Sequence, residues 1–585
     1  MRKIFLSLLF FCLLFGDLYS QSNESRRPPY RTGKARRGPT AEGKKPARRD
    51  AEKPAKPARR EPPAKKDPTV NWDDLLERNG IRIPEAGSKN NPFRANKKYE
   101  VQNELDSIFL KSLQRENRDP SPLCSDEVFL RRIYLDLTGT IPTPKEVRSF
   151  LKDNSKDKRK KRIDLLLDRD EFVDLQTMRW CDLLRVKSEF PINLWPNGAV
   201  CYYRWIHQSV EENKPYSQFV RELLTACGSN FRDGPSNFYR AVPAKDSDTL
   251  AEAVCQTFLG MDIAPWPAEK RKQTALFFSR VGYKETAQWK EEIVYRNREP
   301  LDRTKVVFPD GSVKAIAASQ DPRELFADWM ISPANTLFSV CAVNRLWCWL
   351  FGKNLISEQK DAQNEKGQIH LELCQFLCRE LIQSQYDLKH MYRLILNSGI
   401  YQQSSLSENK STDTRELFAS YPVRRIDAEV FQDMLAQIFD LPVGYTSEVA
   451  EPFTMISPQY RAVLLYDSSI TSSFLEMFGR SSRDTGTETD RNNDVTESQQ
   501  LFLLNSTEIN EWIVQYANRL GNNWKSESIK DLIDEMELTF LSRFPTAEEY
   551  KTISDELRRT DKSGSQKIQD IIWCLLNSRE FICKH

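Results

Sequence analysis

Residues 130–151, LRRIYLDLTGTIPTPKEVRSFL, contain the signals that end one helix and begin the next. The apolar residues up to Leu137 follow a helical pattern, and Gly139 suits the left-handed position just after a helix. Thr143 and Glu146, with a proline directly after the threonine, match the capping box that starts a new helix. The stretch therefore predicts two helices joined by a tight turn.

The same signals return near the other end of the sequence. Thr546 and Glu549 again match a capping box, shortly after the apolar residues 538–541. Each of the two capping boxes belongs to a unit of about forty residues with the order helix–turn–helix–helix. Helical periodicity dominates the sequence from Tyr99 onward. We therefore predict a mainly α fold, with two helical domains after a disordered basic leader and few short strands.

The N-terminus has the three parts of a secretory signal peptide. Arg2 and Lys3 give a positive start, residues 4–15 are almost entirely apolar, and Ser20 and Ser22 are the small residues that signal peptidase recognises. The apolar run is shorter than the roughly 20 residues that a membrane-spanning helix needs. Residues 1–22 are therefore predicted to be a signal peptide, and the protein to be exported, periplasmic or secreted, without a transmembrane segment.

A basic leader, rich in proline, lysine and arginine, is predicted over residues 23–70 and has too few apolar side chains to fold. Residues 26–66 carry sixteen lysines and arginines against four acids, a net charge of +12, whereas residues 67–585 carry −9. Residues 23–66 are either a solvated spacer or an electrostatic tether to an anionic polysaccharide or envelope polymer. Nucleic acid is not an expected partner, because an exported protein rarely meets it.

Changes in composition divide the remaining sequence. Residues 71–285 are predicted to form a first helical domain, and residues 326–585 a second. Residues 286–325 are polar and are predicted to connect the two, with a hairpin around residues 309–311. Residues 463–465 are expected to be extended.

Few residues in the sequence carry recognisable chemistry. The four histidines lack metal-ligand spacing, and the zinc, nucleotide and serine-hydrolase motifs are absent. Eleven cysteines remain after signal cleavage without a Cys-x-x-Cys pair, so no metal site is predicted. Two acids suffice for glycoside chemistry, but the sequence has 83 and does not single out a pair. The catalytic residues therefore stay unknown.

A long polar loop at residues 479–497 is the best candidate for a ligand site, because loops of this length are often functional. Arg480, Arg483 and Arg491 can each bind sulfate, carboxylate or phosphate through two hydrogen bonds, and Asp484 lies among them. The alternative is a loop whose arginines pair with acids and hold two helices together.

Several short motifs occur in a fixed order: RIYLDLTG at 132–139, PYSQFVRE at 215–222, VNRLW at 343–347, LNS at 504–506 and LNSREF at 576–581. They resemble a bacterial family, common in Planctomycetes, with two paired domains of unknown function called fifteen-forty-nine and fifteen-fifty-three. The resemblance covers the chain from about residue 100 onward. Arg345, which lies in one of these motifs, joins the candidate ligand-binding residues.

The resemblance implies export, and it implies an association with secreted sulfatase-like proteins and with polysaccharide breakdown. Relatives often carry a fused cytochrome c domain and a Cys-x-x-Cys-His segment for c-type haem. Here residues 261–276 stand in place of that segment and contain neither cysteine nor histidine. Covalent haem attachment needs both, so we predict no haem, no other cofactor, and a shortened loop at residues 261–276.

Two functions from different classes agree with the sequence. The first is an exported binding or scaffolding protein of unknown ligand, associated with polysaccharide breakdown. The alternative is a polysaccharide-acting enzyme whose acids or arginines are still to be identified. Electron transfer, which haem-bearing relatives suggest, is not expected without haem. The first two differ in whether a polysaccharide is only bound or also cleaved.

Overall fold

The computed structural model describes residues 92–585, except residues 94, 96–97, 300–303, 357–364, 407–415, 451, 455, 458 and 524–528. For residues 365–369 and 522–523 it describes the backbone alone. The predicted signal peptide and basic leader lie outside the described residues. The chain from Lys89 to His585 forms one compact unit.

Helices form most of the regular structure, which confirms the mainly α fold. Those before residue 320 are α1 (Glu104–Arg115), α2 (Asp126–Leu137), α3 (Pro144–Lys152), α4 (Lys158–Leu167), α5 (Asp170–Leu183), α6 (Pro196–Glu211), α7 (Tyr216–Thr225), α8 (Ser247–Leu259) and α9 (Ala268–Ala275).

The later helices continue to the end of the described chain. They are α10 (Pro322–Met330), α11 (Thr336–Phe351), α12 (Glu365–Gln383), α13 (Leu388–Leu396), α14 (Gly399–Gln402), α15 (Ala428–Phe439), α16 (Ser473–Met477), α17 (Glu497–Asn505), α18 (Thr507–Asn523), α19 (Ile529–Leu541), α20 (Ala547–Leu557), α21 (Gly564–Leu576) and α22 (Arg579–Ile582).

The strands are short and pair antiparallel. They are β1 (Gly228–Ser229), β2 (Val281–Glu285), β3 (Glu292–Arg296), β4 (Lys305–Val307), β5 (Val313–Ala315), β6 (Arg424–Arg425), β7 (Thr446–Ser447), β8 (Ile470–Thr471) and β9 (Cys583–Lys584). The first three form a sheet in the order β1-β3-β2, and the others form the pairs β4–β5, β6–β9 and β7–β8. Three of these strands, β3, β4 and β5, lie in the segment that was predicted to connect two helical domains.

The capping signals read from the sequence are confirmed. Thr143 caps α3 and shares a capping box with Glu146, and Thr546 and Glu549 do the same for α20. Gly139, just past the end of α2, has a φ of 60°, which a residue with a Cβ adopts only at a cost. The hairpin predicted around residues 309–311 is the β4–β5 pair.

Two local predictions were wrong. Residues 462–464 form a 3₁₀ turn rather than an extended segment, because the main-chain N–H groups of Ala462 and Val463 bend toward the buried carboxylate of Asp433. Residues 261–276, predicted as a loop, contain helix α9. A proline directly before that helix, at position 267, suits a helix start.

Two apolar cores fill the described chain. The first joins the early helices to α10–α14, with Trp347 fully buried in it. The second consists mainly of residues from Ile426 onward, but Leu135 of α2 and Leu175 of α5 also belong to it. Because α2 and α5 contribute to both cores, early and late parts of the chain share their interior. The predicted boundaries of the two helical domains stay a prediction.

None of the helices that the structure describes has both the length and the apolar character needed to cross a bilayer.

Candidate functional site

The arginines of the long polar loop meet two acids from distant helices, and together these five residues form an ion network. It consists of Arg480, Arg483 and Arg491 of the loop, Asp182 of α5 and Glu429 of α15. Arg483 Nε donates to Asp182 Oδ1 at 2.9 Å. Arg491 donates to Asp182 Oδ2 at 2.6 Å and to both carboxylate oxygens of Glu429, at 2.5 and 3.0 Å. The loop is thereby tied to two helices.

Because this network is buried, the pKa of each of its groups depends on the charges of its neighbours. Burial by itself would raise the pKa of Glu429, but the positive charges of Arg491 and Arg480 lower it. Burial, together with the charge of Arg483, lowers the pKa of Arg480 to about 10. Arg483 is fully buried and also donates to the carbonyl oxygens of Val186 and Tyr466, at 3.2 and 3.0 Å. These guanidinium groups are therefore surrounded by internal partners.

The two remaining sequence candidates also have partners within the protein. Asp484 accepts from Lys187 Nζ at 2.7 Å. Arg345, on α11, donates to Glu488 of the loop at 2.9 Å and to the carbonyl oxygen of Thr257 at 2.9 Å. All five candidates thus lie in or against one loop. Their contacts favour the alternative interpretation, a loop held by ion pairs, while ligand binding by these residues stays a prediction.

A second arrangement lies at the protein surface and was missed by the sequence reasoning. The rings of Trp195, Trp289 and Phe453 contact one another, and we call them the aromatic platform. Their centroids lie 4.8 Å apart for the two tryptophans, 5.4 Å for Trp195 and Phe453, and 5.5 Å for Trp289 and Phe453. Trp289 is 61% exposed and Phe453 48% exposed. Exposed apolar side chains grouped in this way mark an interaction site more often than single ones do.

Three separate segments bring these rings together. Trp195 ends the loop between α5 and α6 with a φ of 65°, a backbone conformation that costs free energy for a tryptophan and is often found at functional sites. That loop is held by the bond from Ser188 N–H to Asp467 Oδ1, 2.9 Å long. Trp289 lies in the turn between β2 and β3, and Phe453 in the segment after β7. The platform therefore depends on the tertiary fold.

Charged residues lie on the three segments that form the aromatic platform. The Lys290 ammonium lies 5.4 Å from the ring centroid of Trp195 and 5.8 Å from that of Trp289. Glu189 lies on the same loop as Trp195, and Glu448 on the same segment as Phe453. Burial raises the pKa of Glu189, and the negative charges of Glu448 and Asp467 raise it further. A carboxyl group with a raised pKa can donate a proton, and such groups are found at catalytic sites.

Histidines and cysteines add no further centre among the residues described. His207 Nε2 lies 3.4 Å from Asp174 Oδ1, and this pairing raises the pKa of His207. In the described part of the chain, no group of three histidine, cysteine or acidic side chains is placed to hold a metal ion. All eleven cysteines from Cys124 to Cys583 are free thiols, and the Cys374 and Cys378 sulfurs lie 3.9 Å apart.

Comparison with protein families divides the chain into two parts. Residues 104–307 match a family model described as protein of unknown function (DUF1549), and residues 322–557 match one described as protein of unknown function (DUF1553). The chain belongs to this paired family. No curated protein and no solved structure is significantly similar to it.

Both arrangements described above join the DUF1549 and DUF1553 segments. In the aromatic platform, Trp195 and Trp289 come from the DUF1549 segment and Phe453 from the DUF1553 segment. In the ion network, Asp182 comes from the DUF1549 segment and the other four residues from DUF1553. The pair of segments therefore acts as one structural unit at these two places.

Proposed function

We propose that this protein is an exported polysaccharide-binding protein and that the aromatic platform is its binding surface. The observation that supports the proposal is the contact among three rings from distant segments, two of them about half exposed or more. Sugar rings present apolar C–H faces that pack against aromatic rings, while their hydroxyl groups stay hydrated. The three rings lie at 57–72° to one another, and the exposed parts of Trp289 and Phe453 provide apolar surface for that contact.

The size of the platform favours a sugar over a protein partner. A whole aromatic side chain buries about 150–250 Å², so three partly exposed rings offer a few hundred Å² at most. A stable protein interface needs about 800 Å² on each side. Two or three sugar units match the smaller area. Lys290, which lies beside two of the rings, adds a group that can donate hydrogen bonds to hydroxyl or sulfate substituents.

A second candidate is a polysaccharide-cleaving enzyme that uses the same surface. The observation in its favour is Glu189, whose pKa is raised by burial and by two neighbouring acids. A general acid with a raised pKa is one of the two carboxyl groups that glycoside hydrolysis requires. Its partner would be the exposed Glu448 on the facing segment.

Binding is tested with purified protein and a panel of neutral and sulfated polysaccharides, using affinity electrophoresis and calorimetry. Trp289→Ala and Phe453→Ala are expected to weaken binding at least tenfold, which corresponds to about 1.4 kcal/mol. Trp266→Ala is the matched control, because Trp266 also has a lysine beside its ring, Lys270 at 3.8 Å, but has no part in the platform. Unchanged binding in Trp289→Ala would contradict the proposal.

Mass spectrometry of the soluble products distinguishes the two candidates. New oligosaccharides that disappear in Glu189→Gln would support the enzyme, and intact polymer throughout would support binding alone. The binding assay repeated without residues 23–66 tests the basic leader, because a tether to an anionic polymer predicts loss of affinity for sulfated chains only.

A further inference from the structure

Helix α12 brings two thiols together, away from the ion network and the aromatic platform. Cys374 and Cys378 are four residues apart, so they lie on the same face of the helix. Their sulfur atoms are 3.9 Å apart. Cys374 is 1% exposed and belongs to the first apolar core, whereas Cys378 is partly exposed and packs against that core. The pair therefore has one buried member and one that is partly open to solvent.

The helix keeps these two thiols from closing into a disulfide. Cβ atoms four residues apart on a helix are about 5–6 Å from one another, whereas a disulfide needs about 3.5–4.5 Å. Both cysteines are accordingly free thiols. Contact with the Cys378 sulfur, together with burial, raises the pKa of Cys374 well above its usual range. Cys374 is therefore a protonated thiol at neutral pH, which is the less reactive form.

The same separation suits a metal ion held by both sulfurs. Two metal–sulfur bonds of about 2.3 Å each, the length found in zinc thiolates, can join sulfurs up to about 4.6 Å apart. Structural zinc sites and iron–sulfur clusters both need four ligands. In the described part of the chain, no third histidine, cysteine or acidic side chain is placed with the pair to hold a metal ion. The donor set therefore selects a soft ion that accepts two sulfur ligands, as Cu(I) does.

We infer that Cys374 and Cys378 form a binding site for one soft monovalent metal ion, Cu(I) in particular. Binding replaces the two S–H bonds with two Cu–S bonds, releases both protons to solvent and leaves the oxidation state of the metal unchanged. A coordinating thiol is deprotonated by the charge of the metal, which overcomes the effect of burial. The ion enters past the partly exposed Cys378, and the helix does not have to change because both sulfurs already lie on one face.

The test uses the purified protein and Cu(I) supplied with glutathione in excess. Glutathione competes as a single thiol and removes copper from isolated cysteines, so that only a site with two thiols retains the ion. We expect one Cu(I) per chain after gel filtration, with sulfur-to-copper charge-transfer absorption in the ultraviolet. X-ray absorption should show two sulfur neighbours at copper and no nitrogen. A protein that retains no copper, or that binds copper through nitrogen, would overturn the inference.

Variants identify the two ligands. Cys378→Ser and Cys374→Ala should each weaken Cu(I) binding by more than about 100-fold, because even the partners of metal ligands contribute about 10–100-fold. Cys574→Ser is the matched control, because Cys574 is also a partly buried cysteine on a helix. Since Cys378 is partly exposed, Cys378→Ser is expected to keep the fold, which circular dichroism without copper checks. Unchanged copper retention in a folded Cys378→Ser would contradict the inference.

Two further measurements separate this site from its alternatives. Zn(II) should not be retained under the same conditions, because the pair supplies only two of the four ligands that zinc needs. Retention of Zn(II) as tight as that of Cu(I) would indicate a four-ligand site and overturn the inference. Peptide mapping of the purified protein should find both cysteines reduced. A disulfide between Cys374 and Cys378 would show that the helix distorts enough to close it, and would overturn the inference as well.

Discussion

The ion network and the aromatic platform use their side chains in opposite ways. In the network, Arg483 and Arg491 pair with two acids inside the protein at 2.5–2.9 Å, and Arg480 lies 3.4 Å from one of them. In the platform, two of three rings remain substantially exposed. The arginine-rich loop looked like a ligand site in the sequence, yet its charged groups are engaged within the fold. The comparison supports the proposal that the exposed aromatic platform, rather than the arginine-rich loop, is the binding surface.

The strongest way to break this comparison is to remove one arginine from the network. Arg491→Met leaves the buried carboxylates of Glu429 and Asp182 without their main partner, so the free energy of unfolding should fall by about 3–5 kcal/mol. Urea denaturation measures the change. Arg115→Met is the control, because the Arg115–Glu372 pair is about half exposed and exposed pairs contribute about 0–1 kcal/mol. Loss of affinity for a sulfated polymer with unchanged stability would instead assign Arg491 to a ligand site.

Glu537 is a buried acid without a close arginine, and its effect on stability should be opposite to that of Glu429. Burial raises the pKa of Glu537 to about 8, and its nearest cation, Arg543, is 3.9 Å away. The folded state therefore holds this proton more tightly than the unfolded state, and stability should fall as pH rises from about 4.5 to about 8. Glu537→Gln should remove that fall and be more stable at pH 9 by roughly 1–3 kcal/mol.

Glu549, which pairs with the same arginine, Arg543, provides the opposite case. Burial would raise its pKa, but bonds from Arg543 at 2.8 Å lower it. The stability that ionised Glu549 contributes is therefore present above about pH 4.5 and is lost as pH falls below that value. Above neutral pH, Glu537→Gln should raise the free energy of unfolding and Glu549→Gln should lower it. Denaturation curves at several pH values measure both changes. If both variants change the free energy of unfolding in the same direction, burial alone governs the pKa of both residues.

The smallest expected effect concerns the border of the platform. Lys290→Met removes an exposed cation near two rings, an interaction worth about 0.5–1 kcal/mol. Affinity for a neutral polysaccharide should change less than threefold, and any preference for sulfated chains should decrease. Calorimetry at two salt concentrations measures both, with Lys270→Met beside Trp266 as the control. A large loss of stability would mean that Lys290 supports the platform rather than its ligand.

Local signals in the sequence predicted local structure well. Capping at Thr143 and Thr546 and the hairpin around residues 309–311 depend on neighbours only a few residues apart. Residues 463 and 464, predicted to be extended, form part of a turn because their conformation is set by Asp433, about thirty residues away along the chain. Local sequence patterns do not contain such a contact.

The two candidate sites also differ in whether their residues are close together in the sequence. The arginine loop was found because its charges are adjacent in the sequence, but the acids that engage them, at positions 182 and 429, are far from it. The aromatic platform needs residues 195, 289 and 453 to meet, and each is an ordinary aromatic residue in its own segment. A site of this kind becomes visible only after the tertiary fold is known.

The ion network also has a consequence for which sequence changes this chain can tolerate. Asp182 belongs to the DUF1549 segment, and its partners Arg483 and Arg491 belong to the DUF1553 segment. A substitution on one side leaves a buried charge uncompensated on the other, so selection acts on both segments together. Recombination that exchanged one segment for that of a distant relative would separate matched charges. In this chain, the charge of each segment is therefore matched to that of the other.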